Sequence, residues 1–334
     1  MRNTAVIGAG AFGTALSQIL VEAGSRVSLW VREPELCETI RDTRENDLFM
    51  PGFQLPEGIT PTCHLNEAVA GRELIVVAVP TAFLRDVMAE AAHAISHDCI
   101  VLTVSKGIEV DSGLTMADVQ REILPLPLHR NLAFLSGPSF AREIMLRHPT
   151  TVAAAAQDLG LARRVQDALT TPYFRLYTTS DVIGVEVGGA VKNVMAIAAG
   201  IVDGLGFGHN TRGALITRGL AEMSRLGVRM GANPLTFAGL AGMGDLVLTC
   251  TGDLSRNRQV GLALGQGKTL DEHLADMNQV AEGVRTTRSV YALSQQLGVD
   301  MPIVEQVYRI LYEDKSPKEA VVDLMQRTPK QELG

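Results

Sequence analysis

The residues most suited to chemistry are a lysine and an asparagine among small neighbours, Lys192 and Asn193 in residues 188–193 (GGAVKN). The segment has helical spacing, which places Gly188 and Ala196 one turn from Lys192 on the same face. Each glycine inside a helix costs roughly 1 kcal/mol relative to alanine, so the pair indicates close approach of a ligand or another backbone. Partial burial would lower the pKa of Lys192 towards neutrality, as general acid–base catalysis requires. The alternative is a lysine whose stem is buried between helices while its charge reaches water.

A glycine-rich motif near the N-terminus predicts a dinucleotide site. Gly8, Gly10 and Gly13 form G-x-G-x-x-G between a strand-like run and a helix-like run. The first glycine permits a tight turn, the second lets the backbone approach a pyrophosphate, and the third lets the helix pack on the sheet. The helix N-terminus offers free N–H groups and a partial positive charge to the phosphates. Together with Lys192, the motif predicts a nicotinamide-dependent dehydrogenase with a lysine acid and base.

The end of the second predicted strand bears on the choice of cofactor. NAD-specific sites place an acidic residue there, which accepts a hydrogen bond from the ribose 2′-hydroxyl. Here Trp30 and Arg32 occupy the region, and Glu33 follows. An arginine pairs with a 2′-phosphate and stacks on adenine, so the sequence favours NADPH without excluding NADH. The alternative is that Arg32 is a solvated residue at a strand end.

Two further segments follow predicted strands, at the edge where open α/β sheets bind ligands. Lys106 comes directly after an apolar run, which favours a site over an ordinary surface lysine, although the surface role stays open. Gly137 and Pro138 predict a turn after another run. Ser139 then either caps the next helix or hydrogen-bonds a ligand.

Two motifs in the second half complete the candidate site. In residues 242–246 (GMGDL), glycines predict a sharp turn that aims Asp245 inward onto Lys192; the alternative is an ordinary helix N-cap. In residues 255–258 (SRNR), a capping serine begins a helix with basic residues. Helix N–H groups, a guanidinium fork and an amide suit a phosphate, and basic residues are disfavoured at a helix start without an anion. The alternative is a capped helix with a solvated first turn.

Apolar runs alternate with helix-like segments over the first half of the chain. Some runs are continuous, such as residues 75–79, which is typical of parallel strands buried on both faces. The alternation predicts a doubly wound α/β domain of the Rossmann type. The predicted strands are residues 4–7, 26–31, 74–79, 100–104, 132–135 and 151–155, and the predicted helices are residues 12–23, 82–95 and 115–124.

Beyond residue 180, strand-like runs become scarce and apolar residues recur at helical spacing. The predicted helices are residues 185–202, 214–226, 234–241, 256–264, 286–297 and 302–312. We therefore expect two domains with a boundary near residues 178–181. Residues 1–180 form a dinucleotide-binding Rossmann domain, and residues 181–334 form a mainly α-helical substrate-binding and catalytic domain.

Composition excludes several classes of protein. The 334 residues are 46% hydrophobic and 20% charged, which indicates a soluble globular protein of about two domains. The formal net charge is −7, whereas nucleic-acid binding and anionic membranes call for basic surfaces. The four cysteines are scattered, and no set of ligands has metal-site spacing, so we expect no metal. With no secretory signal and no uncharged apolar run of membrane-spanning length, we expect a cytoplasmic protein without stable membrane insertion.

Taken together and in order, the motifs resemble the bacterial NAD(P)-dependent glycerol-3-phosphate dehydrogenase family over essentially the whole chain. The resemblance rests on residues 8–13, 105–107, 137–141, 188–193, 242–246, 255–257 and 280–283. It implies reversible hydride transfer between a nicotinamide and carbon 2 of a small phosphorylated three-carbon substrate. The implied pair is dihydroxyacetone phosphate and sn-glycerol 3-phosphate, the precursor of phospholipid backbones. The implied assembly is a homodimer.

The resemblance also implies roles for single residues, with Lys192 as proton donor and acceptor at the carbon-2 oxygen. The implied substrate contacts are Lys106, Gly137, Ser139, Lys192, Asp245, Ser255, Arg256 and Asn257. The implied cofactor contacts, besides Gly8, Gly10 and Gly13, are Ala11, Phe12, Arg32, Lys106, Ala141, Arg256, Val280 and Glu282. The chain departs from the family at Ala11, where a frequent serine would bond a cofactor phosphate. It also departs at Ser139, which keeps the hydroxyl of a frequent threonine.

Two other functions fit this sequence. One is a related two-domain dehydrogenase that acts on a small hydroxy or keto carboxylate, because an arginine fork binds carboxylates as well as phosphates. The other is a nucleotide-sensing protein without turnover. The presence of Lys192, Asn193 and Asp245 speaks against the sensing protein.

Overall fold

The N-terminal half is built on one eight-stranded sheet. The computed structural model describes residues 1–275, 281–329 and 331–332. The strand order is β3-β2-β1-β4-β5-β6-β7-β8, so the chain changes winding direction between β1 and β4, where open α/β sheets bind ligands. The strands are β1 Asn3–Ile7, β2 Arg26–Trp30, β3 Ile59–Thr62, β4 Leu74–Val77, β5 Ile100–Thr103, β6 Leu132–Ser136, β7 Thr150–Ala155 and β8 Phe174–Thr179.

Helices cover both faces of the sheet, which confirms the predicted doubly wound architecture. Alternate strand residues point to opposite faces, so Val76 packs in one core while Ile75 and Val77 pack in the other. The helices of the first core are α1 Ala11–Glu22, α2 Pro34–Thr43, α6 Ala141–Met145 and α7 Leu159–Leu169. Those of the second core are α3 Leu65–Val69, α4 Thr81–Ala91 and α5 Met116–Ile123.

The sheet differs from its predicted form at both edges. Strand β3 was not predicted, because Pro61 breaks its pattern, and proline is tolerated at a sheet edge. Strand β8 was not predicted either, because its exposed Arg175 interrupts the apolar run on the opposite edge. Strand β7 pairs antiparallel with β6 through Phe134 and Ala155, whereas β7 and β8 are parallel to each other. The last two strands therefore run against the other six.

The second half of the chain is helical where the structure describes it, as predicted. Its helices are α8 Val182–Gly204, α9 His209–Arg229, α10 Pro234–Phe237, α11 Asp245–Thr251, α12 Arg256–Gly265, α13 Leu270–Ala275, α14 Glu282–Leu297, α15 Pro302–Tyr312 and α16 Pro317–Met325. Two stretches have the length and hydropathy of a membrane span, Val182–Gly204 and Pro234–Thr251. In the first, 94% of the apolar window is buried inside the protein, which is typical of a core helix.

Helix α8 joins the two halves. Its first turns, with Val182 and Val185, pack in the second core of the sheet, and the turns from Val187 onward form the centre of the helical core. Helix α12 lies directly against it, because a Cβ on Gly200 would come within 2.0 Å of the Arg258 carbonyl oxygen. The backbones of α8 and α12 therefore touch with no side chain between them.

Candidate active site

The glycine-rich loop has the geometry of a pyrophosphate cradle. Gly8 has a φ of +107°, and a Cβ on it would lie 2.7 Å from the Ala78 carbonyl oxygen. A Cβ on Gly13 would lie 1.9 Å from the Gly8 carbonyl oxygen. These two glycines are therefore required by packing. In contrast, a Cβ on Gly10 would have no neighbour within 4 Å, so this part of the loop faces open space.

The start of α1 is open to an anion. Its N-cap is Gly10, which has no side chain to accept from the free N–H groups of the helix. The first turn, which contains Ala11 and Phe12, holds no acidic residue. Its N–H groups therefore remain for a ligand. The loop is held by Asn46, which is fully buried and donates to the Ala9 carbonyl oxygen at 2.7 Å. These features fit the phosphates of a dinucleotide. Sequence analysis missed Asn46 because no local motif marks it.

Both candidate groups for cofactor discrimination lie at the end of β2. Arg32 and Glu33 form an ion pair of 2.6 Å, and the arginine side chain is 66% exposed. An exposed pair contributes little stability, so the guanidinium can exchange Glu33 for a phosphate. Trp30 is fixed beside them, since its indole N–H donates to the Cys63 carbonyl oxygen at 3.2 Å.

Asp245 binds two lysines at the centre of the site. Its Oδ1 is 2.5 Å from Lys192 Nζ, and its Oδ2 is 2.7 Å from Lys106 Nζ. The Ser136 hydroxyl and the Gly137 N–H also donate to Oδ2, at 3.2 and 3.3 Å. Asp245 is therefore aimed at Lys192, as one of the two sequence interpretations had it, and the alternative of an ordinary N-cap is wrong.

The backbone that carries Asp245 is a π-helical turn, Leu240–Gly244, which leads into α11. The predicted helix of residues 234–241 was therefore wrong at its end, and so was the predicted sharp turn. The turn presses against α8, because a Cβ on Gly188 would lie 2.4 Å from the Ala241 carbonyl oxygen. Gly188 thus serves the approach of a backbone, one of the two reasons that its type suggested.

The electrostatics of the cluster favour proton exchange near neutral pH. Burial lowers the pKa of Lys192 to about 8, opposed by the charge of Asp245 and assisted by that of Lys106. Burial alone would raise the pKa of Asp245, but the two lysines overcome it and hold that pKa below its usual range. Asp245 is therefore ionised, and Lys192 can give or take a proton. The lysine does not reach out to water, because its side chain is only 9% exposed.

Thr249 completes the surroundings of Lys192 and was missed by sequence analysis. Lys192 Nζ donates to the Thr249 hydroxyl at 3.0 Å, and that hydroxyl donates to the Asp245 carbonyl oxygen at 2.5 Å. The available signal was the spacing of Asp245 and Thr249, one helical turn apart on α11.

Two asparagines connect the lysines to the helical half. The Asn193 amide donates to the Lys106 carbonyl oxygen at 3.4 Å, and it accepts from the Asn257 amide at 3.0 Å. Asn257 in turn accepts from the Gly283 N–H at 2.8 Å, at the start of α14. Asn257 is therefore linked to the lysine cluster through Asn193.

Gly137 and Ser139 lie beside Lys106. Gly137 has a φ of +142°, and its carbonyl oxygen accepts from Lys106 Nζ at 3.3 Å and from the Ser139 hydroxyl at 2.9 Å. The prediction that Ser139 could cap the next helix is wrong, because Phe140 occupies the N-cap position of α6. Ala141 is the first residue of that helix.

The two arginines at the start of α12, Arg256 and Arg258, have different surroundings. Ser255 caps the helix by accepting from the Arg258 N–H at 3.3 Å. The Arg258 side chain pairs with Asp203 at 2.7 Å and with Asp253 at 2.9 Å, so it holds helices together. Arg256 is exposed to solvent, yet desolvation by surrounding protein lowers its pKa, against the charge of Glu282. Arg256 is therefore reached by solvent while the protein surrounds part of its side chain.

Glu282 and Val280 are the remaining predicted cofactor contacts. The Glu282 carboxylate accepts from the Thr81 N–H at 3.0 Å and from the Thr81 hydroxyl at 2.6 Å. It therefore ties α14 to the start of α4. Val280 lies outside the described residues. Within the described ranges, no group of three or more His, Cys, Asp or Glu side chains could hold a metal ion.

Comparison with known proteins gives the same assignment for both halves of the chain. Residues 3–162 match the family model of the NAD-dependent glycerol-3-phosphate dehydrogenase N-terminus, and residues 181–322 match that of the C-terminus. A glycerol-3-phosphate dehydrogenase [NAD(P)+] of Geobacter sp. (strain M21) is 58% identical over 328 residues, 98% of each chain. The crystal structure of glycerol-3-phosphate dehydrogenase from Coxiella burnetii has a TM-score of 0.93 and 38% identity, and it covers 98% of this chain and 99% of its own.

A more distant likeness concerns the fold alone. A ketopantoate reductase from Ralstonia eutropha JMP134 has a TM-score of 0.61 at 16% identity, over 96% of this chain and 99% of its own. The family models and the close relatives carry the assignment. The chain belongs to the NAD-dependent glycerol-3-phosphate dehydrogenase family.

Proposed function

We propose that this chain reduces dihydroxyacetone phosphate to sn-glycerol 3-phosphate, reversibly, with Lys192 as the proton donor and acceptor at the carbon-2 oxygen. Its family membership supports the substrate pair, since the close relatives are named for glycerol 3-phosphate. The buried cluster of Lys192, Asp245 and Lys106 carries the assignment of the acid and base. The product would supply glycerophospholipid biosynthesis.

The proton chemistry follows from the cluster. When bound, the reduced nicotinamide supplies a hydride to carbon 2. Protonated Lys192 polarises the ketone and delivers its proton to the oxygen; in the opposite direction, neutral Lys192 takes the proton from the alcohol. Asp245 holds the ammonium in place, and its negative charge keeps part of the lysine protonated at neutral pH. The charge of Lys106 counters full protonation and would also attract the anionic substrate.

The substrate phosphate would bind at the start of α12. Ser255, Arg256 and Asn257 bring helix N–H groups, a guanidinium and an amide to this place. The carbonyl end of the substrate would then lie among the remaining predicted contacts, Lys106, Gly137, Ser139, Lys192 and Asp245. The same arginine would also bind a carboxylate, so a keto acid is the alternative substrate.

The cofactor that we propose is NADPH, with NADH as the alternative. The open start of α1, with Gly8, Gly10, Ala11, Phe12 and Gly13, would hold the pyrophosphate. Ala141, Arg256, Glu282 and Val280 would contact the rest of the molecule. The exchangeable Arg32 favours a 2′-phosphate. Replacing Arg32 by Gln should raise the Kd for NADPH roughly 10-fold, the effect of one charge-assisted hydrogen bond, and leave that for NADH within about 2-fold. Equal changes in a fluorescence titration would contradict this preference.

We also propose the division into residues 1–180 and 181–334, a cytoplasmic location and a homodimeric assembly. The two family models support the division, since they match residues 3–162 and 181–322. Light scattering of the purified protein would measure the assembly, and a monomeric mass would contradict the dimer.

The function is tested by following the absorbance of NADPH in the presence of dihydroxyacetone phosphate. We expect oxidation that requires the phosphate ester, and its loss by at least about 100-fold in Lys192→Ala, because general acid catalysis contributes that much. Lys318→Ala is the matched control, since Lys318 is exposed on α16. Near-normal turnover in Lys192→Ala would remove the lysine from the chemistry. Oxidation with small keto acids only would replace the substrate by the carboxylate alternative.

A further inference from the structure

The carboxyl group of Glu186 lies close to the lysine cluster, although Glu186 is not among the predicted site residues. Glu186 is on α8, and its Oε1 accepts from the Ala117 N–H at 2.8 Å, in the first turn of α5. Part of the residue reaches solvent, but Oε2 is shielded and has no hydrogen-bond partner within the part of the chain that the structure describes. Burial raises the pKa of Glu186 to about 8, against the hydrogen bond from Ala117. The group therefore carries a proton at neutral pH.

A small cavity of mixed polar and apolar lining lies between Glu186 and Ser136, with Lys106 also at its wall. Its volume open to the centre of a water molecule is about 10 Å³, close to what one water needs. Its polar lining residues are Thr103, Ser105, Lys106, Ser136 and Glu186, and Phe134, Leu135 and Val185 form the apolar part of the wall. A cavity of this size holds a water when polar partners line it, and the hydroxyls of Ser105 and Ser136 are such partners.

The inner wall of the cavity connects directly to Lys192. Ser136 lines the cavity, and its hydroxyl donates to Asp245 Oδ2 at 3.2 Å. The other oxygen of Asp245 is 2.5 Å from Lys192 Nζ. One water in the cavity would therefore complete a chain of exchangeable protons from Glu186 to Lys192.

The outer side of Glu186 connects to the surface. The Thr115 hydroxyl, whose interaction with Glu186 lowers the pKa of that carboxyl by less than burial raises it, donates to Asp118 Oδ2 at 3.2 Å. Asp118 and Arg121 are the charged groups of α5 that act on Glu186, and their side chains are 46% and 32% exposed. Lys106, at the end of β5, is the charged group on the cavity side.

We propose that Glu186 relays protons from the surface of α5 to Lys192, through the cavity water, Ser136 and Asp245. The proposal rests on the proposed role of Lys192. Each ketone reduction consumes one proton besides the hydride, and the lysine must regain it although only 9% of its side chain is exposed. Lys192 gives its proton to the substrate oxygen and becomes neutral. Glu186 then passes a proton through the water and Ser136 to ionised Asp245, which hands it on to Lys192 and is ionised again. Glu186 recovers its own proton from solvent along Thr115 and Asp118.

Glu186→Gln tests the relay, because glutamine keeps the shape but carries no exchangeable acid. We expect kcat for ketone reduction to fall about 10-fold in dilute buffer, less than the loss of the acid itself. Imidazole, added at constant pH and ionic strength, should restore it as a substitute proton donor. Glu222→Gln is the matched control: Glu222 is also buried, with a pKa raised to about 7 by burial, but its partners are the N–H groups of Ile303 and Val304. It should show neither effect.

A second readout is independent of turnover. In the infrared spectrum of the protein without ligands at pH 7, Glu186→Gln should remove one component of the carbonyl stretch of protonated carboxylic acids. The component from Glu222, whose pKa is raised to about 7, should remain in Glu186→Gln and be lost in Glu222→Gln. If Glu186→Gln does not fold, Ser136→Ala breaks the same path and should give the same loss and the same rescue by imidazole. An unchanged kcat, or a loss that imidazole does not restore, would overturn the relay. The proposed function would survive such a result if the unaltered protein turns over dihydroxyacetone phosphate and Lys192→Ala does not.

Discussion

Replacing Asp245 by Asn should move the pH dependence of catalysis. In the unaltered protein, kcat/KM for ketone reduction should be level near neutral pH and fall about tenfold per unit above the Lys192 pKa of about 8, because only the protonated lysine donates. The amide would keep the shape of the side chain but remove the charge that lies 2.5 Å from Lys192 Nζ. The charge of Lys106, 2.7 Å from the same carboxylate, would then act on Lys192 without opposition.

The size of the shift follows from the contact. An opposite charge this close moves a pKa by about 1–3 units, so the pKa of Lys192 should fall to between about 5 and 7. At pH 7.5 the protonated fraction of Lys192 would drop from roughly 75% to roughly 25% or less. The value of kcat/KM would therefore fall by a factor of about 3 for a shift of one unit and by over roughly 100 for a shift of three. The alkaline limb of the profile should shift by the same 1–3 units, approximately.

The assay is the rate of NADPH oxidation at low substrate concentration between pH 5 and 10, with circular dichroism to confirm folding. Asp98→Asn is the control, because it makes the same change of charge on a side chain that is 98% exposed, and its profile should coincide with that of the unaltered protein. An alkaline limb that stays in place in Asp245→Asn would refute the reasoning, since Lys192 would then owe its proton affinity to other groups.

Two further predictions concern stability, measured by urea unfolding. Gly200→Ala should destabilise the protein by about 3 kcal/mol, because its Cβ would lie 2.0 Å from the Arg258 carbonyl oxygen and force α8 and α12 apart. The control is Gly213→Ala, on an exposed face of α9 with no neighbour within 4 Å, which should stabilise the protein by roughly 0.5–1 kcal/mol. Equal effects of the two substitutions would contradict the close packing of α8 and α12. Glu186 is protonated in the folded chain and ionised in the unfolded chain between its ordinary pKa of 4.5 and about 8, so stability should fall through this window as pH rises. Glu186→Gln should remove a slope of about 1.4 kcal/mol per pH unit there, and parallel curves for the two proteins would show that the carboxyl is ionised in both states.

The local sequence was enough for the architecture of the first half. Continuous apolar runs predicted β4 and β5, because strands buried on both faces consist almost entirely of apolar residues, with Thr103 at the end of β5 as the exception. The edge strands β3 and β8 were not predicted, because each has residues exposed to solvent and so lacks a continuous apolar run. The antiparallel direction of β7 could not be predicted either, because strand direction depends on pairing with β6 and leaves no mark in the composition of the strand.

Site residues could be predicted where a chemically suitable side chain lies in a recognisable motif, as Lys192 and Asp245 do. The contact of Lys192 with Asp245 was one of two interpretations, and the structure selects it. Asn46, Ser136 and Thr249 were missed, because common polar residues have meaning only through their partners. Asn46, for example, holds a loop that lies 37 residues away in sequence. Such contacts depend on the assembled fold rather than on local spacing.

The position of α8 in both cores determines how this chain can be divided. Val182 and Val185 lie after the end of the last strand, yet they fill a slot on the sheet. A fragment cut at residue 180 would leave that slot open, and the complementary fragment would expose the apolar start of α8. The two halves are therefore not interchangeable modules. A chimera between relatives would preserve the packing only if sheet and helix at this junction came from the same parent.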